Sequence, residues 1–253
     1  MDSSSAVLLV AHPGHELLVH GWLTTSRPAI HVLTDGSGHT SSGRIGLTRD
    51  YLRSAGAAQG SIFGRLTDRQ AYEVILSRNV ALLSALVAEL ADDLIARRAT
   101  VVVADAAEGY NLVHDLCRTV TGAACDLARR AGLNVEHYEY PVIDGFDGGE
   151  QINLSDDALA AKIAAARRFS PQIADVDELL ATRGEEAFRR ESFRVVNDWT
   201  VSPFATGARP RYERFGEERV AAGHYSRVLR YREHMAPLCE AIAAWAGSAQ
   251  CVS

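Results

Sequence analysis

The sequence predicts an α/β protein in which helices flank a mostly parallel sheet. Apolar runs of strand length alternate with longer segments of helical spacing along the 253 residues. Strands covered on both faces are apolar throughout, and residues 6–11 contain no polar side chain. Such runs end in polar residues near positions 12, 34 and 105, which is typical of strands whose carboxyl ends meet at one sheet edge.

The length and composition indicate one main folded domain with a sizeable core. Hydrophobic residues make up 47% and charged residues 23% of the chain, as in ordinary globular proteins. A net charge of -6 and a sequence pI near 5.8 argue against binding to nucleic acid or anionic membranes. We therefore expect a small-molecule substrate and no nucleic-acid partner, and a homo-oligomer stays open.

Cysteine usage and the first residues bear on the compartment. Cys117, Cys125, Cys239 and Cys251 lack the CxxC spacing of a redox or zinc motif. The start of the chain shows no charged segment followed by an apolar core and a cleavage site. No apolar run reaches the ~20 residues that a membrane-spanning helix needs. We therefore expect a cytoplasmic protein without a membrane span.

The first predicted strand delivers two histidines and a glutamate to the sheet edge. Pro13 cannot donate to a sheet ladder and disfavours helix at His12, so the strand ends there. A helix that starts near His15 would place this imidazole and Glu16 beside His12. A divalent cation relieves the repulsion between two such imidazoles by binding both in their neutral form. Structural histidines satisfied by hydrogen bonds remain the alternative, because spacing alone does not establish a metal site.

Further elements follow in alternation. A strand over residues 29–33 ends in a Gly-rich turn at residues 34–38, on the same sheet edge as His12. Residues 72–98 carry the strongest helical pattern, because they are rich in Ala, Leu and Val and end in two arginines that suit the helix dipole. The other elements predicted here are a helix over residues 17–23, a helix over residues 47–58 and an apolar piece over residues 61–64.

A second loop rich in polar side chains follows the strand over residues 100–104, which is nearly all β-branched and ends at Asp105. A helix is predicted from Leu112 to Ala131, with His114 in its first turn. A lone histidine at such a position is more often structural. If this strand neighbours the first one, however, the imidazole of His114 can meet the two earlier imidazoles.

The last part of the chain is less regular. Residues 134–140 predict a strand whose alternation places His137 at the surface or at an edge. Helical patterns cover residues 159–169 and 176–190. A helix over residues 223–234 would fold over the ligand edge as a wall, unless it is a solvated helix with surface ion pairs. We predict a core of residues 1–145 and a C-terminal extension of residues 146–253 that completes the substrate pocket.

The opening strand and the later histidine resemble a known family. A strand that ends in Ala11-His12-Pro13, then Glu16, and then His114 at the start of a helix resembles the PIG-L/LmbE-like family of zinc-dependent N-deacetylases. The resemblance covers roughly residues 1–140. It implies a Rossmann-like α/β fold and removal of acyl groups from amines, commonly on amino sugars, glycolipids or antibiotic precursors.

The sequence departs from the family motif at informative positions. The family's opening His-Pro-Asp-Asp-Glu has Gly14 in place of its proposed general base and His15 in place of an aspartate ligand. The family's later His-Pro-Asp-His matches residues 111–114. The zinc-binding histidine is retained as His114, and Asn111 replaces the histidine thought to stabilise the oxyanion. The resemblance therefore implies a divergent branch.

The resemblance implies a three-histidine metal site made of His12, His15 and His114. We expect Zn²⁺, with Fe²⁺ or Mn²⁺ also compatible with the ligand types. A histidine in place of an aspartate ligand leaves more positive charge on the metal. The pKa of a coordinated water should then fall further, which partly offsets the missing base.

A proton must still reach the leaving amine, so an acid or base should lie within hydrogen-bond reach. Of the nearby acids, which include Asp105 and Glu108, we favour Glu16 and Asp115 because they adjoin ligands. Asn111 can donate a hydrogen bond to an oxyanion. The residues expected to contact substrate are polar or aromatic side chains of the edge loops and the extension: Asp35, Arg44, Glu108, Tyr110, His224 and Arg227.

The favoured function is therefore a metal-dependent hydrolase, deacetylase-like, that cleaves an N-acyl amide in a small polar metabolite such as an N-acyl amino sugar or a biosynthetic intermediate. Two alternatives stay open. Three histidines with open positions also suit an Fe or Mn enzyme with non-hydrolytic chemistry. The loss of the base at Gly14 also fits a ligand-binding relative without catalytic activity.

Overall fold

In the computed structural model, seven strands of the described residues form one central sheet. The structure describes residues 5–38, 42–143, 145–146, 148–169, 177–178, 180–182, 184–201, 204 and 207–249. The strands are β1 (Ala6–Val10), β2 (Ala29–Thr34), β3 (Ala58–Leu66), β4 (Val101–Asp105), β5 (Glu136–Tyr140), β6 (Glu150–Asn153) and β7 (Arg190–Val195).

The strand order is β3-β2-β1-β4-β5-β7-β6. The first five strands in this order pair in parallel, whereas β7 pairs antiparallel with both β5 and β6. The chain crosses from one side of β1 to the other between β3 and β4, and ligands of open α/β sheets bind at such switch points. The predicted α/β architecture, a mostly parallel sheet flanked by helices, is confirmed.

Helices cover both faces of this sheet. The helices are α1 (His20–Ser26), α2 (Ile45–Ala55), α3 (Asp68–Ser77), α4 (Val80–Arg97), α5 (Leu112–Arg130), α6 (Asp156–Arg168), α7 (Arg211–Ala221) and α8 (Ala236–Ser248), with 3-10 turns at His15–Val19 and Glu185–Phe188 and a π-helical turn at Tyr231–Met235. Among these helices, none is by itself long and apolar enough to cross a membrane.

Strand β1 separates two hydrophobic layers. Val7 and Leu9 face the layer formed with α4, α5 and α8, while Leu8 and Val10 face the layer formed with α1, α2 and α6. All four side chains are fully buried. A strand covered on both faces has to be apolar at every position, which is why the unbroken run in the sequence predicts it correctly.

The helix predicted over residues 72–98 is wrong in one respect, because two helices occupy this stretch. Arg78 has a φ of 51° and ends α3, and the side chain of Asn79 then caps α4 by accepting from the amide of Leu82 at 3.1 Å. The two helices meet at an angle of 120°. A side-chain cap inside a long apolar pattern therefore starts a new helix.

The helix predicted over residues 176–190 is also wrong over much of its length. Residues 177–178 and 180–182 are helical, residues 176, 179 and 183 lie outside the described residues, and β7 begins at Arg190. The sequence predicts His137 at the surface or at an edge, but it is buried, because β7 pairs with β5 and α5 covers the face of β5 that carries His137. Charged residues in β7 mask its strand pattern in the sequence.

The predicted helix over residues 223–234 does not form as a unit. Helix α7 ends at Ala221, Gly223 has a φ of 75°, and the chain is irregular up to the π-helical turn. The residues after position 146 contribute β6, β7 and α8 to the same sheet and core. The division into residues 1–145 and 146–253 as core and extension stays a prediction.

Candidate metal centre

His12 follows β1 at the carboxyl edge of the sheet and is held on one side of its ring. Its Nδ1 lies 2.8 Å from the hydroxyl of Thr34, at the end of β2, and 3.0 Å from Oδ1 of Asp68, the first residue of α3. Oδ2 of Asp68 accepts from the amide of Gly38. Three neighbouring strand ends therefore fix the orientation of one buried imidazole.

His15 opens the 3-10 turn after β1 and is held in the same way. Its Nδ1 lies 2.6 Å from Oδ2 of Asp105, the last residue of β4. The carboxylate of Asp105 also accepts from the amide of Ala11 at 3.0 Å and from the hydroxyl of Tyr140. Because β4 lies directly beside β1, a residue about 90 positions away becomes the partner of His15.

His114 lies in the first turn of α5. This helix begins at Asn111, whose side chain caps it by accepting from the amide of Val113 at 2.9 Å. The imidazole of His114 is buried, and its Nδ1 has no hydrogen-bond partner among the described residues. A buried ring nitrogen without a partner is a feature that a metal ion would resolve.

The three imidazoles converge at the switch point of the sheet. The ring centroids are 5.2 Å apart for His12 and His15, 5.4 Å for His12 and His114, and 4.7 Å for His15 and His114. One ligand atom from each of His15, Asp105 and His114 also lies within 4.8 Å of the others. His15, Asp105 and His114 therefore bring metal-binding atoms together, and the ring of His12 adjoins this group.

The protonation of these imidazoles differs. Burial lowers the pKa of His114 well below its ordinary value, and the neighbouring charge of His15 lowers it further. Burial also lowers the pKa of His12, against the opposing effect of Asp68. Burial alone would lower the pKa of His15, but the charge and hydrogen bond of Asp105 outweigh it and raise this pKa. Two of the three rings therefore favour the neutral form that a metal requires.

The residues fit a divalent transition metal by their chemistry. Neutral imidazoles and a carboxylate are the ligands that Zn²⁺ takes in proteins, and they also serve Fe²⁺ and Mn²⁺. The structure thus brings the three predicted ligands, His12, His15 and His114, into one cluster. Their role as ligands stays a prediction.

Of the residues predicted to be catalytic, Asn111 lies at the cluster. Its amide Nδ2 is 3.3 Å from Nε2 of His12. Glu16 is fully buried, and its carboxylate accepts from the amide of Gly14 at 2.8 Å and from the hydroxyl of Thr48 at 2.7 Å. Burial raises the pKa of Glu16. Its contacts brace the turn that carries His15.

Asp115 also braces a loop. Its Oδ1 accepts from the amide of Gly109 at 3.1 Å, and its Oδ2 has no hydrogen-bond partner among the described residues. Burial raises the pKa of Asp115 to about 8. Burial raises the pKa of Tyr212, a buried residue of α7, and the nearby carboxylate of Asp115 raises it further. The carboxylate of Asp115 therefore holds the loop after β4 and acts electrostatically on α7.

Two of the predicted substrate contacts lie at the rim of the cluster. Nε of Arg44 donates to the carbonyl of Gly36 at 2.9 Å, and its charge opposes protonation of His15. The ring of Tyr110 is 6.4 Å from that of His114 and is 39% exposed. These side chains flank the imidazoles from the β2 side and from the α5 side.

The other predicted substrate contacts have different surroundings. Asp35 accepts from the amide of Ser37, and the carboxylate of Glu108 accepts from the amides of residues 142–143, so both carboxylates hold loops. His224 and Arg227 are exposed on the irregular segment after α7, and in the described part of the chain neither contacts the cluster through its side chain. The predicted helical wall that would carry them is absent.

Asp68 and Thr34 are missing from the site predicted from the sequence, and Asp105 enters it only as a possible acid or base. A signal was present, because Thr34 and Asp105 each end a strand of the sheet and Asp68 lies two residues after the end of β3. Polar side chains at the carboxyl ends of parallel strands meet at one edge. Which of them meet is decided by the strand order, which the local sequence does not show.

Comparisons with known proteins address the fold. No protein-family model matches the chain, and no curated protein matches it in sequence. The conserved protein TT1542 from Thermus thermophilus is similar in structure, with a TM-score of 0.50 and 18% identity over 75% of this chain and 93% of that one. The A40926 pseudoaglycone deacetylase Dbv21 has a TM-score of 0.51 and 15% identity over 77% and 98%. These similarities show a shared Rossmann-like α/β fold.

Proposed function

We propose that this protein is a metal-dependent hydrolase of the PIG-L/LmbE-like type, which cleaves the C–N bond of an N-acyl amine in a small polar metabolite. The observation that carries the proposal is the convergence of His12, His15 and His114 at the switch point of the sheet. The fold shared with Dbv21, which is named a deacetylase, supports the same reaction class. An N-acyl amino sugar or a biosynthetic intermediate is the substrate we favour.

We assign His12, His15 and His114 as the residues that hold the metal, with Zn²⁺ as the favoured ion. When bound, this ion would lower the pKa of a water molecule and polarise the acyl carbonyl. The chain itself contributes Asn111, whose amide is 3.3 Å from Nε2 of His12 and can donate to the acyl oxygen as negative charge develops there. Asn111 is the residue we assign to transition-state stabilisation.

The remaining predicted catalytic residues receive other roles in this proposal. Glu16 and Asp115 are buried, and their carboxylates accept hydrogen bonds from the amides of Gly14 and Gly109. We assign both to holding the loops that carry the imidazoles and Asn111. In this proposal, the proton that the leaving amine needs comes from groups at the open side of the cluster.

The rim of the cluster supports an entry route for substrate between two elements. The ring of Phe215 in α7 is 5.7 Å from that of Tyr110, and the guanidinium of Arg211 lies 5.6 Å from the centroid of Tyr110. The amide of Tyr212 donates to the carbonyl of Gly109 at 3.0 Å, which joins α7 to the loop after β4. We propose that Tyr110, Arg44 and α7 form the substrate wall.

The test begins with metal content. Purified protein should carry close to one equivalent of a transition metal, and chelation should lower its melting temperature. Metal at 100 times its dissociation constant adds about 2.7 kcal/mol to the free energy of unfolding. His15→Ala should lose the metal, while His31→Gln, at a buried histidine on β2 paired with Asp93, should retain it. Release of free amine from a panel of N-acetylated sugars and amino acids then measures turnover.

The outcomes separate the alternatives. Protein without stoichiometric metal, and with a stability indifferent to chelators, would exclude the metal centre. Turnover that strictly requires Fe²⁺ and O₂ would replace hydrolysis by the non-hydrolytic alternative. Bound metal without turnover of any N-acyl compound would favour a ligand-binding relative.

A further inference from the structure

Two of the clustered imidazoles share one arrangement, in which Nδ1 faces a carboxylate. Nδ1 of His12 lies 3.0 Å from Oδ1 of Asp68, and Nδ1 of His15 lies 2.6 Å from Oδ2 of Asp105. An ionised carboxylate only accepts hydrogen bonds, so Nδ1 of each ring has to carry a hydrogen. A neutral imidazole has one N–H group, so the lone pair of each ring is on Nε2.

The other contacts of His12 agree with this tautomer. The hydroxyl of Thr34 donates to the carbonyl of Ala11 at 3.0 Å, so toward Nδ1 of His12 it acts as an acceptor. On the opposite side of the ring, the amide Nδ2 of Asn111, which can only donate, is 3.3 Å from Nε2. Nε2 therefore carries the lone pair of the ring, and a metal ion bound to Nε2 would take the place of this contact with Asn111.

The two carboxylates are themselves fixed. Asp105 is fully buried and accepts from the amide of Ala11 and from the hydroxyl of Tyr140. Asp68 accepts from the amide of Gly38, in the turn after β2. With three donors already around it, the carboxylate of Asp105 is placed to hold His15 and less suited to bind an ion directly.

We propose that Asp105 and Asp68 are positioning residues that set His15 and His12 as Nε2 ligands of the metal. Asp105 also supplies, through the ring of His15, the negative charge that an aspartate in the opening motif would supply directly. The carboxylate that the sequence lacks at position 15 is thus replaced by one at the end of β4. This inference rests on the proposed metal centre and adds two residues that the motif does not contain.

The charge of the site follows from this arrangement. A divalent ion held by three neutral imidazoles keeps two positive charges. Asp105 and Asp68, each one imidazole away, offset both charges. Partners of this kind fix the tautomer of a ligand histidine and raise its basicity, and their loss typically weakens metal affinity about 10–100-fold.

The experiment compares the zinc affinity of four proteins by competition with a chromophoric chelator at fixed pH. Asp105→Asn and Asp68→Asn should each weaken Zn²⁺ binding about 10–100-fold relative to the wild type. Asp93→Asn is the matched control, because Asp93 pairs with His31 at 2.9 Å outside the cluster. This control should bind zinc with unchanged affinity. Long-range ¹⁵N NMR spectra should show a hydrogen on Nδ1 of both ligand rings in the zinc-loaded wild type.

The results have distinct meanings. Wild-type affinity in Asp105→Asn, or a hydrogen on Nε2 of His15 in the spectra, would overturn the inference while leaving the metal centre intact. A Co²⁺ spectrum that changes its ligand-field pattern in Asp105→Asn would make Asp105 a direct ligand and would also overturn it. Absence of metal from the wild type would instead remove the proposed function.

Asp105→Asn also has a folding risk, because the carboxylate is buried with other donors. Tyr140→Phe is the second variant, since it removes the hydroxyl that donates to Asp105 and keeps the carboxylate. It should weaken zinc binding severalfold in a protein whose circular dichroism spectrum is unchanged. Unchanged affinity in both Tyr140→Phe and Asp68→Asn would refute the positioning role even if Asp105→Asn does not fold.

Discussion

The turn between His12 and Glu16 depends on one glycine. Gly14 has a φ of 105°, a backbone conformation that residues with a Cβ rarely adopt. Its amide donates to Glu16, and its carbonyl accepts from the amide of Leu17 at 3.2 Å. The geometry that presents two imidazoles to one point therefore requires glycine here. The glycine that stands in place of the aspartate of the motif this chain resembles is therefore the residue that the shape of the turn requires.

Gly14→Ala should lower the free energy of unfolding by about 1–2 kcal/mol, because alanine is strained at this φ. Urea denaturation measures the change. Gly46→Ala is the matched control, since Gly46 lies in α2 with open space where a Cβ would stand, and this variant should gain about 0.5–1 kcal/mol. Equal stability of Gly14→Ala and the wild type would show that the turn tolerates a side chain.

At the scale of elements, strand β5 has a polar face inside the protein. His137 and Glu139 point toward α5 and are each 1% exposed. Arg118 of α5 lies with its Nε 3.8 Å from Oε2 of Glu139. Burial, together with the charges of Arg118 and Arg129, lowers the pKa of His137 to about 3. The imidazole of His137 is therefore neutral in the folded protein across most of the acid range.

This depressed pKa predicts a loss of stability in acid. An unfolded histidine titrates near pH 6.5, so between about pH 6.5 and 3 the unfolded chain binds the proton that the folded chain excludes. Stability therefore falls as the pH drops through this window. His137→Gln should reduce the loss between pH 6.5 and 4.5 by about 2 kcal/mol, as measured by urea denaturation at each pH. Parallel pH profiles of the two proteins would contradict this account.

The elements that the sequence predicts well are those whose pattern is set by burial alone. Strands β1 and β4 are apolar at nearly every position because helices cover both of their faces. The sequence does not predict strand β7, because the pattern of β7 is interrupted by Arg190, Glu191 and Arg194. These residues make ion pairs or face solvent, and only the fold determines which. The break between α3 and α4 escapes because a single cap at Asn79 overrides a long apolar pattern.

The same limit applies to the site. The three histidines can be predicted because each follows a strand or opens a helix, and the resemblance supplies their shared role. Asp68 and Asp105 become partners of the imidazoles only through the neighbour order β3-β2-β1-β4. Strand order depends on tertiary packing, so these partners could not be chosen from local sequence.

At the scale of the whole molecule, one buried ion pair joins distant parts of the chain. Nζ of Lys162, in α6, lies 2.8 Å from Oε1 of Glu191, in β7, and also donates to the carbonyl of Leu18. Glu191 accepts from the amides of Gly21 and Trp22 at the start of α1, at 2.9 Å each. The side chains of Lys162 and Glu191 are 6% and 0% exposed. These contacts thus connect the last third of the chain to α1, the helix that follows the turn carrying His15.

Lys162→Met should lower the free energy of unfolding by about 3–5 kcal/mol, because it leaves the carboxylate of Glu191 buried without a counter-charge. Adding Glu191→Gln should recover part of this loss, since it removes the unpaired charge while its single amide oxygen can still accept from one of the two amides, Gly21 or Trp22. Guanidinium denaturation of the single and double variants measures both steps. A double variant no more stable than Lys162→Met would show that the ion pair is not the cause.

The position of β4 next to β1 has a consequence for the order of events during synthesis. The amide of Ala11 and the carboxylate of Asp105 are separated by 94 residues, so the nascent chain emerges with one flank of β1 unpaired until β4 has left the ribosome. Contacts so distant along the chain form late and slow the folding of a domain. The proposed metal centre can therefore form only after β4 and the start of α5 have packed beside β1, and a shortage of the ion should shorten the lifetime of the finished protein and leave the early folding rate unchanged.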